Sequence, residues 1–216
     1  MNRYLSFINS NATFNNPPVD FDTWGQYDYD VMKHEKYCYN TYRHFIKDYL
    51  TNPKENTVFD VNCGKGYGIS HLQKEFGFKK CIGFQYNNEL LDICKETHDN
   101  VSFYKDFILS AKKNADFILA FNSLQLQDNK TALLMKIAQS LNKNGTVIIV
   151  NQVYQQHEYD SYINILVKTH GLKLVENYDI SPHVIQATDR MAEINSLQVG
   201  SHAHNGQFAV SILQNQ

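Results

Sequence analysis

The sequence predicts an α/β fold built on one mostly parallel sheet with helices on both faces. Three observations carry that prediction: strand-patterned and helix-patterned stretches alternate from residue 57 to residue 213, one strand carries the unbroken apolar run Val147 to Val150, and the length suits one domain. With 216 residues, 43% hydrophobic and 19% charged, the chain has ordinary globular composition and enough apolar material for a single sizeable core.

Residues 1–30, which include NSNATFNNPPVDFDTWGQYDYD, are rich in Asn, Asp, Pro and aromatics without a sustained period. They read as an extended segment anchored by its rings. From Val31 the apolar positions Cys38, Tyr42, Phe45, Ile46 and Tyr49 fall at helical spacing, and Pro53 requires that helix to stop before it. Residues 1–52 are therefore expected as an aromatic-rich lid and helix, ahead of a core over 53–216 in the same structural domain. Seven of the fourteen Tyr lie in the first 49 residues, which suits a lid over a small molecule and equally a set of half-buried packing residues.

Seven strands follow: TVFDVN (57–62), KCIGF (80–84), VSFYK (101–105), ADFILAF (115–121), TVIIV (146–150), LKLVENYDI (172–180) and QFAVSIL (207–213). Helices are expected between them at 66–76, 87–97, 129–141 and 159–170, with a short helical stretch near 183–197 inside a cap insertion of about 181–205. Leu133, Leu134, Ile137, Ala138 and Leu141 give the third of these one apolar face, with Asp128 as its expected N-cap and Asn144–Gly145 as its left-handed stop. TVIIV, apolar from Val147 to Val150, reads as a central strand covered on both faces. In such a sheet a ligand binds at the carboxyl ends of the strands, at the topological switch point that the first strand helps to form.

Composition excludes several function classes. A net charge of −2, with no Lys/Arg cluster longer than two residues, lacks the basic footprint of a nucleic-acid partner. No apolar run approaches the roughly 18 residues that span a bilayer, so no membrane partner is expected. The four cysteines are single, without a CxxC pair, and MNRYLSFINS lacks the basic-then-apolar pattern of a signal peptide, which predicts a reducing cytoplasm. Of nine His, only His202 and His204 are closely spaced, and no HExxH accompanies them, so no metal is expected. Monomer and homodimer both stay open.

The most informative stretch is VFDVNCGKGYGISHL, residues 58–72. A strand ending in an acid, glycines at 64, 66 and 68, and then a helix let the backbone approach a ligand closely while the helix N-terminus favours an anionic group. Taken alone, the same glycines serve as well for a tight turn. GKGYG lacks the P-loop spacing, and a dinucleotide fingerprint would need a third glycine and a later acid.

Several segments together resemble the class I S-adenosylmethionine-dependent methyltransferases of small-molecule type. DVNCGKGYG resembles the first motif of that family, IGFQYNNELLDICKE the second, and VSFYKDF the segment that meets the adenine. ADFILAFNSLQLQDNKTALLMKIAQSLNKNGTVIIV is similar to the fourth strand, its helix and the turn into strand five, while GLKLVENYDIS and QFAVSIL are similar to the closing strands. FDTWGQYDYD, which contains Tyr27, resembles the aromatic lid; the whole resemblance spans about residues 20–213. It implies a Rossmann-like seven-stranded sheet with an antiparallel last strand, S-adenosylmethionine as cofactor and a small-molecule substrate.

Carried over by position, the resemblance implies that Asp60 orients the loop and the cofactor's ammonium, that Gly64 and Gly66 pass beneath its methionine moiety, and that Asn62 and Cys63 belong to the same cofactor-binding loop. Gln85, with Tyr86 beside it, occupies the ribose position. Asp106 would accept from the adenine amino group with Phe107 against the ring, Asn122 and Ser123 would border the methyl group, and Tyr27 would close from the lid. For each, a cap or turn role is the alternative.

Three departures stand out. Asn62 replaces the usual first glycine, and Gln85 replaces an acid whose charge-assisted bonds are roughly twice as strong, so that Gln85→Glu is expected to tighten binding. Gln125 stands where the resembling enzymes often carry a His base. Methyl transfer mainly requires alignment, so a base is needed only for a protonated acceptor, and His34 and His183 are then the candidates. A second reading is a cofactor-binding protein of this fold that does not methylate and serves as another kind of catalyst or as an interaction partner.

Overall fold

The computed structural model describes residue 43 and residues 46–112, 114–121, 123–124, 127–153, 156–179 and 207–216. Seven strands form one sheet: β1 (Thr57–Asp60), β2 (Lys80–Gln85), β3 (Ser102–Lys105), β4 (Ala115–Phe121), β5 (Leu141–Val153), β6 (Lys173–Asp179) and β7 (Gln207–Gln214). Their order is β3-β2-β1-β4-β5-β7-β6. The pairs among β1 to β5 are parallel, and β7 runs antiparallel to both β5 and β6, as the resemblance implied. The order reverses between β1 and β4, which opens the crevice at their carboxyl ends where such sheets take ligands.

The two faces of the sheet are covered by different helices. Helix α1 (Tyr67–Phe76) and helix α2 (Asn88–Thr97) bury Ile69, Leu72, Leu91 and Cys94 with Val58, Phe117, Ile148 and Val150, and Ile46 joins them. On the other face α3 (Phe107–Ser110), α4 (Lys130–Gln139) and α5 (Gln156–Asn164) cover Phe59, Phe84, Ile118, Val147 and Ile149. Alternate residues of TVIIV thus enter opposite cores, so its lack of polar alternation follows from burial on both sides. At about 25 cal/mol per Å2 of buried apolar area, these two layers supply the main favourable contribution to folding.

Local expectations need three corrections. Asn129, not Asp128, caps α4, its side chain accepting from the Ala132 N–H, so the helix starts one residue later than an Asp128 cap requires. That helix also stops at Gln139, with Ser140 as C-cap; Asn144, at φ 62°, makes a turn within the long β5 segment instead of ending the helix. The helix expected at 159–170 begins at Gln156 and finishes as a π-helical turn, Ile165–Thr169. Short helix α3 went unanticipated, because four residues are too few for a periodic signal. Among the described residues no helix is long and apolar enough to cross a membrane.

Candidate functional site

At its carboxyl end β1 continues into the glycine loop between its two neighbours. Val61 N–H donates to the Leu119 carbonyl of β4 at 2.9 Å, and Cys63 N–H to the Phe84 carbonyl of β2 at 3.1 Å. Asp60 is buried at 4% exposure at this junction. The chain then turns sharply, with Gly66 N–H donating to the Cys63 carbonyl at 2.8 Å. Gly64 and Gly66 both have left-handed backbones, φ 57° and 83°, which only glycine adopts without strain. Gly66 is also the N-cap of α1 and, as a glycine, has no side chain with which to cap that end. The positive end of the helix dipole and its first N–H groups are therefore offered to an acceptor.

Behind the loop stands a set of buried side chains. The Gln85 Nε2 amide donates to the Gly64 carbonyl at 2.9 Å, and the Cys94 thiol reaches the same oxygen at 3.3 Å. His98, the C-cap residue of α2, lies 3.0 Å from the Lys65 carbonyl through Nε2. A carbonyl only accepts, so Nε2 carries the proton. Burial pushes the His98 imidazole below its ordinary value, with the Lys65 carbonyl and Asp99 opposing and Lys74 reinforcing that direction. Phe103 fills the space under two glycines: a Cβ at Gly66 would meet its Cζ at 2.8 Å, and one at Gly83 would meet its Cδ1 at 2.7 Å. Gly83 is thus a packing glycine, and Gly66 is required both by φ and by contact.

The next strand end supplies Asp106. Its backbone is left-handed at φ 53°, uncommon for a residue with a side chain, and its Oδ1 accepts from the N–H groups of Ile108 at 2.8 Å and Leu109 at 3.3 Å. The capping bonds compensate the strain, and strained residues of this kind gather at functional sites. The Phe107 ring, expected against the adenine, is fully buried instead, edge-on to Phe59 and Phe84 at centroid distances of 6.4 and 5.1 Å. Ser123, after β4, is buried with its hydroxyl donating to the Phe121 carbonyl at 3.3 Å.

Thiol and phenol chemistry is suppressed here. Contact with the Cys94 thiol, then burial and the Asp60 carboxylate, push Cys63 up from its ordinary value. Cys81 is likewise raised, chiefly by burial. Such thiols are inert nucleophiles near neutral pH. Burial raises the Tyr86 phenol, and the neighbouring Gln127 side chain opposes the shift.

The fold brings Asp60, Asn62, Cys63, Gly64 and Gly66 together in one loop and sets Gln85, Tyr86 and Asp106 at or just beyond the ends of the adjacent strands. Asn62 has no positive φ, so this position makes no conformational demand for glycine. Tyr27, His34, Asn122, Gln125, His183 and the cap at about 181–205 lie outside the described residues. Sequence reasoning passed over Cys94, His98 and Phe103. Their helical or strand spacing is visible, but nothing local tells that those side chains meet a loop some 30 residues earlier.

The family described as a methyltransferase domain matches residues 32–167, and the chain belongs to it. A protein named as a methyltransferase in Invertebrate iridescent virus 6 is 23% identical over 148 residues, covering 68% of this chain and 56% of that relative. The chain thus spans little more than half the length of that curated relative. Among solved structures, geranyl diphosphate methyltransferase in complex with SAM superposes with a TM-score of 0.63 at 14% identity, over 92% of this chain and 96% of that one. The (4+2)-cyclase SpnF has the same TM-score of 0.63 at 13% identity, over 79% of each chain. At these identities the likeness is one of fold: that of the class I methyltransferases.

Proposed function

We propose that the loop from Asp60 to Gly68 binds S-adenosylmethionine and that the protein transfers its methyl group to a small-molecule acceptor. The observation carrying this reading is the start of α1 at a glycine N-cap, behind two left-handed glycines and beside a buried carboxylate, at the switch point of the sheet. The donor set fits the group: a carboxylate for an ammonium, helix N–H groups for a carboxylate, and Asp106 for an adenine amino group. Since Asp106 Oδ1 caps α3, Oδ2 is the oxygen left to meet that amino group. Bound S-adenosylmethionine supplies an electrophilic methyl on sulfur. The protein's part is then alignment and exclusion of water, with Asn62 and Cys63 in the loop, Gln85 and Tyr86 beside the ribose, and Asn122 and Ser123 bordering the methyl, while the Phe107 ring stays in the core beneath Asp106. Tyr27 and the cap would close over the acceptor, which either is ionised already or loses its proton to His34 or His183.

A second reading, a non-methylating catalyst that retains the cofactor, draws support from the likeness to a (4+2)-cyclase and from the departures at Gln85 and Gln125. Calorimetric titration with S-adenosylmethionine and S-adenosylhomocysteine tests the binding, and mass spectrometry of copurified ligand the acceptor. Both cofactor forms should bind one site, and Asp60→Ala should lower affinity by about 100-fold, the loss of a buried charge-assisted contact of roughly 3 kcal/mol. No heat and no melting shift at millimolar ligand would remove the reading.

A further inference from the structure

We propose that Gln85 is a positioning residue, its side-chain amide pinning the glycine loop in the shape that receives the cofactor instead of itself gripping the ribose. This rests on the reading that the loop binds S-adenosylmethionine. Gln85 ends β2 and is 3% exposed. Its amide is engaged at both ends: Nε2 donates to the Gly64 carbonyl at 2.9 Å, and Oε1 accepts from Asn87 N–H at 3.0 Å. The orientation is unambiguous, since a carbonyl only accepts and an N–H only donates. Asn87 in turn caps α2 by accepting from Leu90 N–H at 3.1 Å. One amide therefore couples the glycine loop to the start of the second helix.

The Gly64 peptide is where such a pin matters. With φ at 57° and no side chain, the glycine has several backbone conformations of similar energy available to it. Two buried donors on its carbonyl, Gln85 and Cys94, select one of them. A carboxylate at position 85 would keep the acceptor for Asn87 but lose the donor, and would press a negative oxygen on the Gly64 carbonyl. The amide is thus what this loop geometry requires, which accounts for the departure from an acid. It also reverses the expected sign of Gln85→Glu.

A protonated Glu is an O–H donor plus an acceptor, the same pattern as Gln, and burial beside a carbonyl raises a carboxyl's pKa. The affinity of full-length wild type and Gln85→Glu for S-adenosylhomocysteine, measured from about pH 5.5 to about pH 9, therefore separates the roles. Relative to wild type at each pH, the variant should bind about tenfold more weakly at the alkaline end and recover to within about threefold at the acid end. Hydrogen exchange of the loop peptide in the unliganded protein should follow the same course, faster than wild type at high pH and matching it at low pH. Equal or tighter binding by the variant at alkaline pH, or loop exchange in the variant equal to wild type at every pH, would overturn the assignment. If wild type binds no S-adenosylhomocysteine, the cofactor reading fails, and the exchange measurement alone decides whether Gln85 pins the loop.

Discussion

Two buried polar clusters sit on opposite faces of the sheet, and they differ in what they hold. Around the glycine loop, Gln85, Cys94 and His98 bond to backbone carbonyls of Gly64 and Lys65. Beyond β5, Tyr159 bonds to Ser211 at 2.6 Å, and Ser211 donates to Asn177 Oδ1 at 2.8 Å, a chain of side chains linking α5, β7 and β6. Both obey the rule that buried polar groups find partners. The first fixes the shape of an irregular segment, whereas the second joins elements whose backbones are already fixed by helix and ladder. Position, not chemistry, ties the first cluster to the proposed cofactor loop.

That contrast is sharpest in paired substitutions. His98→Leu removes the donor to the Lys65 carbonyl, so it should cost about 1–3 kcal/mol of stability and about tenfold in S-adenosylhomocysteine affinity. Tyr159→Phe deletes the hydroxyl that meets Ser211 and should cost about 1 kcal/mol, a fall of roughly 2–4 °C in Tm, with affinity unchanged. Denaturant unfolding and calorimetry on both variants check the pair; equal ligand effects would break the distinction. The same imidazole predicts a pH effect. Its folded pKa is depressed by burial, so the unfolded chain takes up the proton first, and stability contributed by neutral His98 is lost as pH falls through about 6.5 and below. His98→Gln keeps a donor and has no titration, so its melting temperature should decline less between about pH 7 and pH 5. The smallest effect is expected at Asn62→Gly. Because Asn62 needs no left-handed backbone, the change should only loosen the unfolded chain, costing about 0.5 kcal/mol without improving affinity. A gain in affinity would show that the Asn62 side chain obstructs the cofactor.

How much of this was readable from the sequence depends on whether the cause is local. The strands and their order of appearance were legible because TVIIV and ADFILAF carry their burial in their own apolar patterns. The loop was legible because left-handed turns need glycine, and Gly64 and Gly66 supply it. Asp128 and Asn129 are both competent caps, so sequence alone could not choose between them. Phe107 was expected against the adenine because the resemblance puts the residue after Asp106 there, yet the buried ring faces Phe59 and Phe84, a contact set by the sheet. Gln85, Cys94 and His98 converge on the loop only through the pairing of β1 with β2 and the packing of α2, which no local pattern encodes.

The most direct test is amide NMR of the isotope-labelled protein during titration with S-adenosylhomocysteine. If the glycine loop is the cofactor site and the second cluster serves only the fold, the amides of Val61 to Gly68, Tyr86 and Asp106 to Ile108 should shift with one common dissociation constant. Those of Tyr159, Asn177 and Ser211 should stay in place. Shifts centred on the β6–β7 side, or none in the loop at saturating ligand, would contradict the assignment of the site.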